Sequence, residues 1–321
     1  MKIVLAALIA ALFATSAQAQ TAAKDPYPEA RAQFADGVVG LPNVTYATYG
    51  GFRPLTLDLY LPAPSAEKHP IIVYVHGGGW TGGSPRAAGT FEDWPATLAG
   101  IAARGYVVAA INYRLGGEAK FPLPEQDVKA AIRWMRVNAD KHGGDPARIV
   151  VWGGSTGGEL AGLAATSCGV AALSPPAQGD AVSDCVQGAI LWFPVTDIEA
   201  LIAERPASDA TVANLLGCKL ADCAPGLARQ ASPVTHIDAN DPPMLIVHGE
   251  ADKTIPVSQS RVLYAALKAK GVDADLLILP GLDHGFVGAS PEANIATNKM
   301  VIARVNAFLD RIVGPASRKK K

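Results

Sequence analysis

Six short, nearly unbroken apolar runs constrain what this chain can become: residues 71–76, 106–112, 149–152, 188–193, 244–247 and 275–279. A segment that is apolar at consecutive positions has two faces to bury, the condition of a central parallel strand covered by helices on both sides. Segments with helical spacing and charged outer faces fall between the runs, at 94–104, 125–142, 156–166, 258–270 and 294–313. Two alternating segments, 44–48 and 55–61, read as edge strands. Together they predict one α/β domain over 43–313, with a mostly parallel eight-stranded sheet flanked by helices. The least regular stretch, 194–233, is long enough to form a small cap between the sixth and seventh strands.

The 321 residues are 49% apolar and 18% charged, which permits a large core and excludes disorder or a coiled coil. Net charge is −1 and the few clustered cations sit in the basic tail 314–321, so no nucleic-acid partner is expected. Lys2 precedes an uncharged run over 3–14 and then Ala17-Gln18-Ala19. A short apolar run ending in a small-x-small pattern reads as a cleavable export signal over 1–19. Cleavage near Ala19-Gln20 would leave an extension over 20–42 and a periplasmic or secreted protein. No stretch reaches the ~20 apolar residues of a membrane span. Export changes the reading of the four cysteines, because thiols pair in an oxidising compartment. Three pairings are possible; Cys168–Cys185 and Cys218–Cys223 are favoured over the others and over four buried free thiols, since each closes a local loop. The cysteines have no metal-binding spacing, and neither metal nor cofactor is expected.

Three segments carry chemistry. Gly153-Gly-Ser155-Thr-Gly157 follows an apolar strand and opens a helix of small residues. In that context G-x-S-x-G is a nucleophile elbow, whereas elsewhere it would be a glycine-rich turn with a capping serine. His76-Gly-Gly-Gly-Trp80 follows another strand, and its bare backbone can turn N–H groups toward a cleft. The same run satisfies G-x-G-x-x-G through Gly77, Gly79 and Gly82. Pro85 where a helix should begin, and no ribose-binding acid at the end of the next strand, exclude a dinucleotide. Asp252 and His284 each lie in the loop after one of the last two strands, giving the order Ser155, Asp252, His284 expected of an α/β-hydrolase. In this reading His284 takes the proton of Ser155 and Asp252 fixes the imidazole tautomer. Asp197, Glu250 and Asp283 are the rival acids. His248 reads as a hydrogen-bonded structural residue and His76 as a brace for the glycine loop. His69, His142 and His236 read as loop residues without a partner.

The chain resembles carboxylesterases of the α/β-hydrolase superfamily, of the hormone-sensitive-lipase-like group and, more closely, the bifunctional acetylxylan/feruloyl esterase type. Segments carrying the resemblance include Leu55-Thr-Leu-Asp-Leu-Tyr-Leu-Pro62, His76-Gly-Gly-Gly-Trp80, Asn112-Tyr-Arg-Leu115 and the elbow. Ala231-Ser-Pro-Val-Thr235, Asp252 with Gln259-Ser260, and His284-Gly285 extend it to about 240 residues. It implies Ser155, Asp252 and His284 as the triad and the N–H groups of Gly78, Gly79 and Thr156 as the oxyanion hole. Trp80 then replaces one of the glycines as donor or lines the acyl pocket. Glu159 departs from the family pattern. In the first turn of its helix it would complement the dipole and discourage acidic substrates. The implied substrates are small acyl or aryl esters, among them acetyl or feruloyl esters of plant polysaccharide. Alternatives are an exported prolyl-oligopeptidase-like peptidase and a catalytically inactive binding module.

Overall fold

Backbone hydrogen bonds join nine strands into one sheet: β1 (Ala32–Gln33), β2 (Val39–Ala47), β3 (Leu55–Leu61), β4 (His69–Val75), β5 (Val107–Ile111), β6 (Gly144–Gly154), β7 (Gly188–Trp192), β8 (Met244–Gly249) and β9 (Ala274–Leu279). Their spatial order is β1-β2-β3-β5-β4-β6-β7-β8-β9. β1 to β3 pair antiparallel, β3 meets β5 antiparallel, and every pair from β5 through β4 to β9 is parallel. Interleaved are the helices α1 (Trp94–Ala102), α2 (Leu123–Val137), α3 (Thr156–Thr166), α4 (Ile198–Glu204), α5 (Asp209–Leu216), α6 (Leu227–Gln230), α7 (Ser258–Ala269) and α8 (Pro291–Ile312). This computed structural model describes residues 30–176 and 182–314. The expected signal over 1–19, its cleavage point, residues 20–29 of the expected extension and residues 315–321 of the tail lie outside them.

Successive strand residues point to opposite faces, so the sheet has two cores. Val73, Val75, Val151 and Leu191 meet α2, α3 and α7 through Ile132, Leu163 and Leu267. On the other face Tyr74, Trp152 and Trp192 meet α1 and α8 through Trp94, Leu98, Val305 and Leu309. Trp152 and Trp192 pack edge to face at 4.7 Å. Every residue of β4, β5, β7 and β8 is buried, as the apolar runs require.

The sheet differs from the sequence expectation in three places. It has nine strands, because residues 32–33 of the expected extension add one, while 39–41 lengthen the strand expected at 44–48. Pro42 and Asn43 (φ +57) break the alternation there, and a register shift between Leu41 and Val44 absorbs them as a bulge. Neither expected edge strand is an edge: β2 lies between β1 and β3, and β3 between β2 and β5. Asp58 of β3 is buried but paired with Arg86 at 2.5 Å, so a polar position in the alternation did not mean an exposed one. β9, whose run looked central, is the far edge strand; Arg311 and Arg304 from α8 pair with Asp275 and flank it. Consecutive apolar positions report that both faces are covered, not how many neighbours a strand has.

Four carboxyl groups are buried within α2, α3 and the loop before β7. Asp127 of α2 receives Arg114 through two side-chain nitrogens and its backbone N–H, at 2.6 to 3.1 Å. Asp184 receives Arg133 at 2.6 Å. The other two have no cation at contact distance: neither carboxyl oxygen of Glu125 has a hydrogen-bond partner, and Glu159 has one, the Trp80 Nε1–H at 3.0 Å. Burial pushes Glu159 up to about 8, only partly countered by that hydrogen bond. Below pH 4.5 the carboxyl is protonated in folded and unfolded chains alike. Above it the unfolded chain loses the proton first, so this group's contribution falls as pH rises from 4.5 toward 8. The accumulated loss is on the order of 4 kcal/mol. Glu159→Gln keeps an acceptor for Trp80 and removes the titration. Urea midpoints measured at pH 5 and pH 8 should converge in this variant relative to the parent, with the gain at pH 8; an unchanged gap would place the proton elsewhere.

Candidate active site

β6 ends at Gly154 and α3 begins at Thr156, so Ser155 must turn the chain in one residue. It does so at φ +57 and ψ −126, a region costly for a side-chain-bearing residue and characteristic of strained functional turns. A Cβ at Gly153 would stand 2.0 Å from the Gly157 carbonyl oxygen, and one at Gly157 would stand 2.3 Å from the Val75 oxygen. Those two positions exclude every residue but glycine, which is the physical content of the G-x-S-x-G pattern.

The loops after β8 and β9 bring the other two predicted residues to this turn. Ser155 Oγ lies 3.0 Å from His284 Nε2, and His284 Nδ1 lies 2.8 Å from Asp252 Oδ2. A carboxylate only accepts, so Nδ1 carries the proton and Nε2 is free to accept from the serine hydroxyl. Asp252 Oδ1 accepts from the N–H groups of Thr254 and Ile255, both at 2.8 Å, and Oδ2 has a second contact at 3.2 Å, the Nε2 of His248. Burial alone would raise this carboxyl, but hydrogen bonds from His248 and His284 hold it well below the ordinary range. It is therefore ionised across the working pH range. The rivals lie elsewhere. Asp197 caps α4, Glu250 is exposed, and Asp283 accepts from the N–H groups of Lys253 and His284.

His248 was expected to be only structural, and the contact with Asp252 is what the sequence did not reveal. Its Nε2 also faces the Ile255 carbonyl at 2.9 Å and its Nδ1 the Ser260 hydroxyl at 2.7 Å. The carbonyl fixes the proton on Nε2, so His248 donates toward Asp252 from behind. The spacing of four between His248 and Asp252, across a turn closing at Gly249, was the available signal. Three other histidines correct the expectation of partnerless loop residues. His69 opens β4 with Nδ1 at 2.9 Å from the Gly105 carbonyl, His142 stacks on Trp134, and His236 meets the Gln230 carbonyl.

Gly78, Gly79 and Thr156 border the same cleft as Ser155. Gly78 and Gly79 have positive φ, and none of the three N–H groups has a hydrogen-bond partner among the described residues. His76 braces this loop: its Nδ1 donates to the Gly77 carbonyl at 2.7 Å, its ring stacks on Tyr113 at 4.6 Å, and the Tyr113 hydroxyl donates to the His76 carbonyl. Burial pushes its imidazole down to about 4, so it is neutral. Trp80 lines the cleft while its Nε1 points away into Glu159, so the indole N–H is not a donor toward the cleft. Glu159 itself is fully buried and does not border the cleft, which overturns the expectation of a substrate-repelling carboxylate.

The cleft measures about 510 Å³. Its floor is the strand ends; Trp192, Phe193 and Ile255 make its apolar wall, and α4 and α5 supply Leu201, Arg205, Thr211 and Val212 as a roof. Roof and floor meet closely, with Thr211 Cγ2 3.5 Å from a Cβ position on Gly79. The disulfide Cys218–Cys223 staples the segment after α5, and Cys168–Cys185 joins the end of α3 to the approach of β7. Arg205 had no signal in the sequence: it is one arginine in an irregular stretch. Among the described residues no cluster of His, Cys, Asp and Glu could hold a metal, and no helix is long and apolar enough to cross a membrane.

The BD-FAE family model matches residues 57–267. Among curated proteins, the Esterase LipC of Mycobacterium tuberculosis is 35% identical over 246 residues, covering 74% of this chain and 58% of LipC. Esterase LipQ of the same organism is 31% identical over 83% of this chain and 62% of its own. The chain thus spans little more than half the length of these two relatives. Carboxylesterase NlhH, also from M. tuberculosis, is 30% identical over 81% of each chain. Among solved structures, native esterase 2 of Thermogutta terrifontis superposes with a TM-score of 0.70 at 32% identity, covering 87% of this chain and 94% of that one. The same esterase phosphorylated by paraoxon gives 0.68 at 31% identity, covering 86% and 95%. A family match over well over half of the chain, on this sheet, places the chain in the BD-FAE family, with the α/β-hydrolase fold.

Proposed function

We propose that the protein is an exported serine carboxylesterase acting on small acyl or aryl esters. The observation that carries this reading is the single imidazole, His284, within hydrogen-bond distance of both the Ser155 hydroxyl and the Asp252 carboxylate. Ser155 Oγ attacks the ester carbonyl as its proton passes to His284 Nε2. The imidazolium is stabilised by Asp252, and the oxyanion is received by the N–H groups of Gly78, Gly79 and Thr156. The proton then goes to the departing alkoxide. Water, deprotonated by the same imidazole, attacks the acyl-enzyme and releases the acid, returning the proton to Ser155. No cofactor enters the scheme. The short roof over an apolar wall favours small acyl groups, and propionate- and butyrate-bound forms of the T. terrifontis esterase point the same way. Acetyl and feruloyl esters of plant polysaccharide fit the family resemblance and the export reading. Two disulfides support export.

Ser155→Ala should lower kcat for p-nitrophenyl acetate by on the order of 10⁶ without moving the unfolding midpoint, and should abolish labelling by a fluorophosphonate. Retained labelling would remove Ser155 from the nucleophile role. Asp252→Asn preserves shape but favours the wrong imidazole tautomer, so kcat should fall on the order of 10⁴; a loss below tenfold would assign the acid elsewhere. Across p-nitrophenyl esters of increasing length, kcat/KM should peak at two to four acyl carbons, on the order of the smallest substrates a cleft of this class holds. A maximum at long lipid chains would contradict the small-ester assignment.

A further inference from the structure

We propose that Arg205 is an anion anchor in the roof of the cleft, and that the preferred substrates are esters bearing a carboxylate beside the reacting group. The proposal names a substrate class for the esterase reading above and rests on it. Arg205 directly follows α4 and borders the cleft together with Leu201 and Thr211. Its guanidinium has no hydrogen-bond or ion-pair partner among the described residues; Nη1 is shut off from solvent, so Nε and Nη2 are the nitrogens a ligand can reach. That sets it apart from Arg86, Arg114 and Arg133, each of which spends a terminal nitrogen on a buried or half-buried carboxylate.

Among the described residues no carboxylate pairs with Arg205. Glu204, next in the chain, is turned to the Ser258 hydroxyl at the surface. Among the described residues no Asp or Glu borders the cleft, since Glu159 is buried beneath Trp80 and Asp252 is enclosed by its own loop. The remaining wall is largely aromatic and aliphatic, with Trp192, Phe193, Val195 and Ile255. A guanidinium with no partner beside such a wall is electrostatically incomplete, and its open Nε–Nη2 edge matches a carboxylate through two parallel hydrogen bonds.

Two matched substrate pairs test this, one with the charge on the acyl side and one with it on the alcohol side: mono-4-nitrophenyl adipate against 4-nitrophenyl hexanoate, and 4-acetoxybenzoate against 4-acetoxybenzamide. The readout is the kcat/KM ratio of charged to neutral member, in the parent and in Arg205→Gln. In at least one pair the ratio should fall by about tenfold or more, the size expected for losing a hydrogen bond to a charged group. A smaller change in both pairs, with the neutral esters turned over, overturns the anchor and leaves the esterase standing. No turnover of any member, together with no fluorophosphonate labelling, overturns the esterase reading and the anchor with it.

Discussion

One backbone-to-backbone contact underlies the cleft floor. The elbow after β6 and the glycine loop after β4 touch with no side chain between them: a Cβ on Gly77 would lie 2.7 Å from the Gly154 carbonyl, and one on Gly157 would lie 2.3 Å from the Val75 carbonyl. Parallel strands β4 and β6 are hydrogen-bonded neighbours, so their exits are held roughly one strand spacing apart. At that separation only bare backbone fits. The contact puts the serine hydroxyl beside the unpartnered N–H groups of Gly78 and Gly79, and everything else at the site is arranged around that distance. Strain concentrates here as well: Trp80, Ser155 and Phe193 are side-chain-bearing residues at positive φ bordering the same cleft.

Much of this was legible in the sequence because it is written in features with few alternative readings. A glycine pair flanking a serine between a strand and a helix has a steric cause that little else shares. An acid and an imidazole one loop apart, after consecutive strands, can converge only at the carboxyl edge of a parallel sheet. What stayed hidden depends on side chains meeting across distant segments. Asp58 looked solvent-facing until Arg86, twenty-eight residues on, was found against it. Glu159 looked like a dipole-complementing surface acid, and it is a buried group whose one partner is a tryptophan from another loop. Arg205 acquires meaning only from what the cap covers. Sheet position was equally opaque: β3 and β9 exchanged their expected interior and edge places because burial of two faces does not specify a neighbour.

The buried ionisable groups divide by role. Arg114 with Asp127, and Arg133 with Asp184, are closed pairs in which each charge finds a partner, and they pin α2 to the loops on either side. Breaking one member would leave an uncompensated charge in the interior. Glu125 and Glu159 belong to the opposite case, carboxyls whose surroundings favour the neutral form. Through Trp80, the neutral Glu159 ties the glycine loop to the first turn of α3. Asp252 shows how differently the same functional group behaves when its lone pairs are occupied by two backbone N–H groups and two imidazoles.

Floor and roof of the cleft are built to different tolerances. The floor is backbone at van der Waals limits, where even a methyl group is excluded. The roof is two helices of seven and eight residues, α4 and α5, fastened by a short disulfide ring and by contacts such as the Phe121 N–H to the Leu215 carbonyl. Drift in the roof can therefore redraw the silhouette of accepted molecules while the chemistry beneath is inherited intact. A scaffold divided this way lets descendants explore new diets one exchangeable canopy at a time.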